Sequence, residues 1–389
     1  MCDTNNIKRW LINLDVVPES HLNSDQIRIL NHKIEENENL CISGFFNTGK
    51  TTTLLLLYRR LYIENRGRIL LLVYRKIDEE RFKEALKELG CRDSVETYWA
   101  FSRHPSRYDY ILCDNVHLMG RSLLSEIKQK ANQVIVTINP ELRLFESSLL
   151  SQEPPLSFND VQEILQPSVY ELNLYPFGNN AIRIVKPLLN KLVASGSLLH
   201  DGYYAQICKA VTDQDESKFI HDQAQRVLSR GFSAAVLIPT NRGIVSFINN
   251  LIKLEGKDPW EMRLSKWGRI DYSDLNKYMC SIGLNYQFIG NGSGSVSDMD
   301  KKINLMTYHG SMGFVFDYVF MPNLNSDLFI SYDESISLNL FVLALTRSKM
   351  NLYLLYSGSP HPYLERIKDY CVIRDISEEQ NDNACNVGI

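Results

Sequence analysis

Gly44-Phe45-Phe46-Asn47-Thr48-Gly49-Lys50-Thr51 decides how the chain is read. The stretch matches G-x-x-x-x-G-K-[ST], in which glycines let backbone N–H groups wrap around phosphates. Lys50 is expected to reach the β- and γ-phosphates, and the Thr51 hydroxyl to ligate Mg²⁺. Gly44, Asn47, Thr48, Gly49 and Thr52 complete the residues expected to line the nucleotide. An apolar run, Leu40–Ser43, precedes the loop, and an apolar helical stretch, Thr51–Tyr62, starts inside it. That context favours a phosphate loop over a plain Gly-rich strand–helix turn. ATP or a related nucleotide is the expected ligand.

Working outward, short apolar runs alternate with helical stretches. Arg68–Tyr74, Val95–Trp99, Tyr110–Asp114 and Gln133–Ile138 read as strands, and Asp78–Leu89 and Ser122–Ala131 as helices. Near-continuous Val/Ile/Leu strands between helices imply a parallel sheet covered on both faces. Ser147–Ser168 is polar and carries Pro154, Pro155 and Pro167, which suits a linker with one short helix. The second half repeats the α/β pattern. Strands are expected at Val169–Asn173, Ala234–Thr240, Tyr286–Ile289, Ile303–Tyr308, Tyr318–Pro322 and Asn351–Tyr356. Helices fit near 179–195, 203–229 (one or two), 241–254, 335–349 and 360–368. The expected organisation is a nucleotide-binding domain at 1–150, a linker at 151–168, a second α/β domain at 169–377 and a frayed tail at 378–389.

The 389 residues are 44% hydrophobic and 23% charged, an ordinary balance for a soluble globular chain. The net charge of −4 argues against a wholly basic binder and leaves room for a local basic groove. Eight cysteines include no C-x-x-C pair, so reduced cytosolic thiols are expected and a zinc site is not. No apolar run is long enough for a membrane span, and MCDTNNIKRW lacks the apolar core of a signal peptide. A cytoplasmic location follows as the expectation.

In Tyr110-Ile111-Leu112-Cys113-Asp114-Asn115, Asp114 sits where a buried strand meets solvent. That is the usual place of the aspartate that holds Mg²⁺ in phosphate-loop enzymes, and a turn cap is the competing role. The next residue in many such ATPases is a glutamate that orients or deprotonates the attacking water. Here it is Asn115, whose amide lacks the basicity of a carboxylate and cannot act as a general base.

The order of motifs resembles that of superfamily 1 helicases of the UvrD/Rep type, from Leu22 to about Tyr356. Leu22-Asn23-Ser24-Asp25-Gln26 looks like the family's Q motif, which makes Gln26 the expected reader of the adenine edge; read alone it is a surface glutamine at a capped helix start. Thr97-Tyr98-Trp99-Ala100-Phe101 resembles T-x-H-x-F, which implies contact of Thr97 and Trp99 with single-stranded DNA; a buried aromatic strand is the competing reading. Asp114-Asn115-Val116-His117 stands for D-E-x-Q, and Ile138-Asn139-Pro140-Glu141-Leu142 for G-D-P-x-Q. Tyr175-Pro176-Phe177 stands for Y-R-S, so Pro176 replaces the arginine; Arg183 is near in sequence. Residues Leu305–Asp317 resemble T-x-H-x-x-K-G-L-E-F-D, with Thr307, His309, Gly313, Phe316 and Asp317 retained and Met312 and Val315 changed. Val342–Lys349 resembles V-A-x-T-R-A-K, and Ala234–Arg242 resembles the strand that opens the second half of the family's second domain.

The resemblance implies two tandem RecA-like domains with parallel sheets and ATP with Mg²⁺ between them. Lys50, Asp114 and Arg347 are the implied catalytic residues, with Arg347 an arginine finger on the γ-phosphate. Thr307 and His309 are implied to face DNA backbone and the nucleotide cleft. Twelve residues lie between Phe101 and Asp114, and about sixty between Arg242 and Ile303. Family members insert accessory domains there, so a stripped core without large accessory domains is expected. Two function classes follow. One is a small DNA-stimulated ATPase or helicase acting on single-stranded or partly duplex DNA, with RNA left open. The other, favoured by Asn115, Leu142, Pro176 and Met312, is a non-hydrolysing, nucleotide-gated subunit of a larger complex in anti-phage defence or repair.

Overall fold

A computed structural model describes residues 22–148, 151–173, 181–189, 204–264 and 270–377. The chain divides into two compact units, residues 1–178 with 194–198, and residues 179–193 with 199–389.

The first unit is built on β1 (Leu40–Gly44), β2 (Ile69–Val73), β3 (Val95–Thr97), β4 (Tyr108–Cys113), β5 (Ala131–Ile138) and β6 (Ser168–Leu172). Their order is β3-β2-β4-β5-β1-β6, and every pairing is parallel. Helices α1 (Ser24–Asn31), α2 (Lys50–Ile63), α3 (Lys76–Glu88), α4 (Tyr98–Arg103), α5 (Arg121–Lys130) and α6 (Phe158–Leu165) cover it. One core joins Ile29, Leu54, Tyr58 and Phe82 to one sheet face; the other joins Tyr98, Phe101, Leu124 and Val161 to the opposite face. Coverage of both faces explains why the strands read as unbroken apolar runs instead of alternating.

The second unit starts with α7 (Ala181–Val185), then β7 (Tyr204–Lys209), α8 (Asp213–Ser229), β8 (Ala234–Ile238), α9 (Asn241–Leu254) and α10 (Ser273–Ser281). It continues through β9 (Tyr286–Phe288), β10 (Ile303–Thr307), β11 (Phe316–Met321), α11 (Glu334–Leu345), β12 (Ser348–Tyr356), α12 (Pro362–Ile367) and β13 (Val372–Asp375). The strand order is β13-β7-β12-β11-β8-β10-β9, again parallel throughout. Two parallel sheets with interleaved helices make the expected α/β class the observed one.

Several local readings are corrected. Strand Val169–Asn173, assigned to the second half, runs as β6 beside β1, with Leu40 opposite Ser168 and Gly44 opposite Leu172. The Pro-bearing stretch before it is the crossover to that strand, so its prolines mark a loop inside the first unit. The strand read at Val95–Trp99 stops at Thr97, whose hydroxyl accepts the Ala100 N–H at 3.2 Å and caps α4. The helix read over 203–229 is β7 followed by α8, separated at Thr212, which caps α8 through a reciprocal pair with Asp215. Strand β13 and helix α10 were not read from the sequence at all. The frayed-tail reading at 378–389 and the Tyr175–Phe177 motif lie outside the described residues.

Candidate functional site

Parallel α/β sheets present ligand sites at the carboxyl ends of their strands. In the first unit, β1 ends at Gly44 and the chain turns through residues 45–49 into α2. Gly44 is required by close approach: a Cβ there would lie 2.6 Å from Thr48 Oγ1 and 2.8 Å from the Leu172 carbonyl oxygen. Asn47 and Gly49 adopt left-handed conformations, with φ of 56° and 85°, which lets the loop curl before the helix starts. Thr48, 1% exposed, donates to the Phe45 carbonyl at 3.0 Å and braces the turn. The Lys50 ammonium is folded inward, 2.8 Å from the Gly44 carbonyl and 2.6 Å from that of Phe45. Thr51 and Thr52 occupy the first turn of α2, whose N-terminus carries the positive end of the helix dipole.

Strand β4 ends one residue before Asp114, with β5 lying between β4 and β1. The Asp114 carboxylate is 6% exposed and receives four side-chain contacts from three residues. Thr51 Oγ1 donates to Oδ1 and Oδ2 at 3.1 and 3.2 Å, and Thr137 Oγ1, from β5, donates to Oδ1 at 2.6 Å. Asn115 Nδ2 donates to Oδ2 at 2.9 Å. Burial raises the carboxyl above the ordinary aspartate range and Asp78 adds to this; the Thr137 and Thr51 hydroxyls and the Lys50 charge oppose it. Tyr98, buried at the start of α4, donates its hydroxyl to the Asp114 carbonyl oxygen. Thr137 and Tyr98 are site residues that the sequence reading missed. The hydroxyl inside the apolar run Val134–Ile138 was the available signal for Thr137, since a buried polar group needs a partner.

Gln26 stands at the capped helix start that the sequence suggests, but it is buried and not a surface residue. It caps α1 reciprocally with Asn23, and it is only 1% exposed. Its Nε2 donates to Thr53 Oγ1 at 3.3 Å and to the Gly49 carbonyl at 3.5 Å, so it packs on the loop that follows β1. Asn115 has φ 60° and receives the Thr137 hydroxyl as acceptor of its own N–H at 2.8 Å. Its left-handed turn suits asparagine. His117 and Asn139, which follow β4 and β5, are both buried. Trp99 is 55% exposed on α4, with the Arg103 guanidinium 4.2 Å from its ring centroid. The buried aromatics of that segment are Tyr98 and Phe101.

In the second unit, Thr307 ends β10 and its Oγ1 accepts the Gly310 N–H at 2.9 Å. His309 follows in the same turn and is half-buried. Asp317 holds the start of β8: its Oδ2 accepts both the N–H and the hydroxyl of Ser233 at 2.9 Å. Arg347 is 3% exposed, and its guanidinium donates to the Leu343 and Phe314 carbonyls and to Thr346 Oγ1, at 3.0, 3.1 and 2.9 Å. Arg183 is exposed on α7. Met312 is buried and Val315 half-buried. The structure therefore gathers Gln26, the loop residues and Asp114 into one locus in the first unit. Thr307, His309 and Arg347 belong to the second unit.

The donor set of the first unit suits nucleotide and Mg²⁺. A hydroxyl and a carboxylate are hard oxygen ligands for Mg²⁺. The tight approach at Gly44 and the left-handed Gly49 give the backbone cradle that phosphates require.

The two parallel α/β units have the build of RecA-like domains. The family model of the UvrD-like helicase C-terminal domain matches residues 277–359, which run from the middle of α10 to just past β12. The chain is thereby related to the UvrD/Rep-like superfamily 1 helicases. No curated protein matches it. No helix among the described residues is long and apolar enough to cross a membrane.

Proposed function

We propose that the chain is an ATP-binding, helicase-type protein that acts on DNA and hydrolyses ATP weakly. The observation that carries this reading is the Thr51–Asp114 pairing at 3.1 Å beside an intact phosphate loop. Lys50 and the loop N–H groups hold the phosphates, and Gln26 flanks the base side. Thr51 and Asp114 hold Mg²⁺, which when bound neutralises charge on the phosphates. Trp99 offers an exposed aromatic face for a base to stack on, and Thr307 and His309 contact the DNA backbone, as the family resemblance implies. Arg347 is the γ-phosphate cation implied by the same resemblance. The chain acts as a soluble cytoplasmic protein together with a protein partner.

Weak hydrolysis follows from Asn115. Its amide nitrogen donates to Asp114, and an amide lacks the basicity that a carboxylate would bring as general base. Such a base contributes on the order of 10²–10⁴ in rate. This observation also favours a second reading, a nucleotide-gated DNA-binding or regulatory subunit of a defence or repair complex that binds ATP without turning it over.

The test is ATP turnover by the purified chain, with and without single-stranded DNA, beside Lys50→Ala. DNA-stimulated turnover that disappears in the variant supports the first reading. Lys50-dependent ATP binding without turnover above the variant leaves the second. Absence of ATP binding overturns both.

A further inference from the structure

We propose that the Tyr98 hydroxyl is a positioning group that couples the base-stacking face of Trp99 to Asp114, so that filling the nucleotide site and gripping a single strand strengthen each other within the first unit. The inference rests on the proposed ATP- and DNA-binding reading.

Helix α4 carries two adjacent aromatics in opposite surroundings. Successive helical residues point about 100° apart, so one can face the core while the next faces solvent. Tyr98 is buried with Phe101 among Leu70, Leu72, Ile111 and Val116. Trp99 is exposed, with the Arg103 guanidinium 4.2 Å from its ring centroid. The helix has six residues, under two turns, so the two aromatics move together.

The Tyr98 hydroxyl donates to the Asp114 carbonyl oxygen. The N–H of the same peptide group, on Asn115, donates to Thr137 Oγ1 at 2.8 Å. Thr137 gives its one hydroxyl proton to Asp114 Oδ1 at 2.6 Å, so a lone pair on Oγ1 receives that N–H. The Asp114–Asn115 peptide is thus held at both of its polar atoms. Because a peptide is planar, its tilt sets the direction of the residue on either side. One is the aspartate, and the other is the left-handed turn at φ 60°.

A phenyl ring at position 98 would fill the same core. Only the hydroxyl reaches the site, so that one oxygen joins α4 to Asp114. Thr51 Oγ1 donates to both Asp114 carboxylate oxygens, at 3.1 and 3.2 Å. Asp114 gives up these bonds when its oxygens hold a cation, and its carboxylate re-aims. The adjoining peptide carries the change to the Tyr98 hydroxyl and so to α4. At the other end, a base stacked on Trp99 competes with Arg103 for the ring and biases the same helix. Coupling needs an element that both ligands bias, and it acts equally in both directions.

The experiment measures the affinity of the full chain for a fluorescent oligothymidylate by anisotropy. It is done without nucleotide and with a saturating non-hydrolysable ATP analogue and Mg²⁺. The quantity read is the ratio of the two affinities. The parent is expected to bind the strand about fivefold or more tighter with the analogue. In Tyr98→Phe the ratio is expected to fall below about twofold, whatever happens to either affinity alone. Trp99→Ala is expected to lower strand affinity about fivefold or more. A purely structural loss in Tyr98→Phe lowers the affinities and the melting temperature but leaves the ratio at the parental value. That outcome overturns the proposal, as does a parental ratio near or below one, or unchanged strand affinity in Trp99→Ala. A parent that fails to bind the analogue or the strand overturns the underlying ATP- or DNA-binding reading, a distinct outcome.

Discussion

Thr51 Oγ1 donates to Asp114 Oδ1 at 3.1 Å, joining residues 63 positions apart at the carboxyl edge of the first sheet. The bond crosses over β5, which lies between the strands that lead to these two residues, and Thr137 of β5 adds a second hydroxyl to the same carboxylate. A buried carboxylate costs free energy unless hydrogen bonds answer it. Here the answering groups are also the ones suited to Mg²⁺.

Gly44→Ala tests the loop's close packing. The added methyl meets the Leu172 carbonyl at 2.8 Å, a backbone atom that cannot swing away. The expected outcome is a lower melting temperature by several degrees, consistent with about 1–3 kcal/mol of overpacking, and loss of the ATP-induced thermal shift. Differential scanning calorimetry with and without ATP and Mg²⁺ reads both.

Asn115→Glu tests whether the missing carboxylate limits turnover. The position has φ 60°, so a glutamate costs about 1–2 kcal/mol in a left-handed turn that asparagine tolerates. Phosphate release is expected to rise by on the order of 10²-fold if a general base is what the chain lacks. An unchanged rate in a folded variant would mean that another group limits the reaction.

Glu216 gives the second unit a pH dependence. The side chain on α8 is fully buried; Oε2 accepts the Asn323 N–H at 2.6 Å and Oε1 has no partner among the described residues. Burial raises its pKa from 4.5 to about 7, with Asp213 adding to the rise and hydrogen bonds from Asn323 and Ser357 opposing it. The folded unit thus holds a proton that the unfolded chain releases, so stability falls as pH rises from about 4.5 to 7. The size is about 3 kcal/mol. Glu216→Gln is expected to melt higher than the parent at pH 8 and to lose most of that advantage at pH 4.5. A pH-independent difference contradicts this.

Arg347→Ala tests a structural share in that residue's role. Its guanidinium links the turn at Phe314 to the end of α11 through Phe314, Leu343 and Thr346. Truncation removes three hydrogen bonds from buried acceptors and is expected to destabilise the second unit by about 2–4 kcal/mol in urea unfolding. A purely exposed catalytic cation would leave stability unchanged.

The loop, the β1–α2 junction and the Asp114 strand end were legible because they are local: glycine spacing, an apolar run and a helix start lie within a few residues of each other. Strand β6 was legible as a strand and misplaced as a unit boundary, because sheet membership is a long-range pairing that no local pattern states. Strand β7 was lost inside an expected helix, since the boundary rests on the Thr212 cap and its pairing with β12. Trp99 turned from a strand residue into an exposed helical one because the Thr97 hydroxyl starts a helix one residue later.

The sequence by itself determined the α/β class, the G-x-x-x-x-G-K-T spacing of the loop after β1 and the presence of asparagine after Asp114, since each is a property of residue type and short spacing. Only the tertiary structure decided that Thr137 and Tyr98 serve Asp114, that Gln26 packs on the loop, and that His117 Nε2 and Asn139 Nδ2 are buried without a partner among the described residues. Those relationships arise where strands distant in sequence are brought into register, and burial then makes every polar group near them find a partner or stand out for want of one.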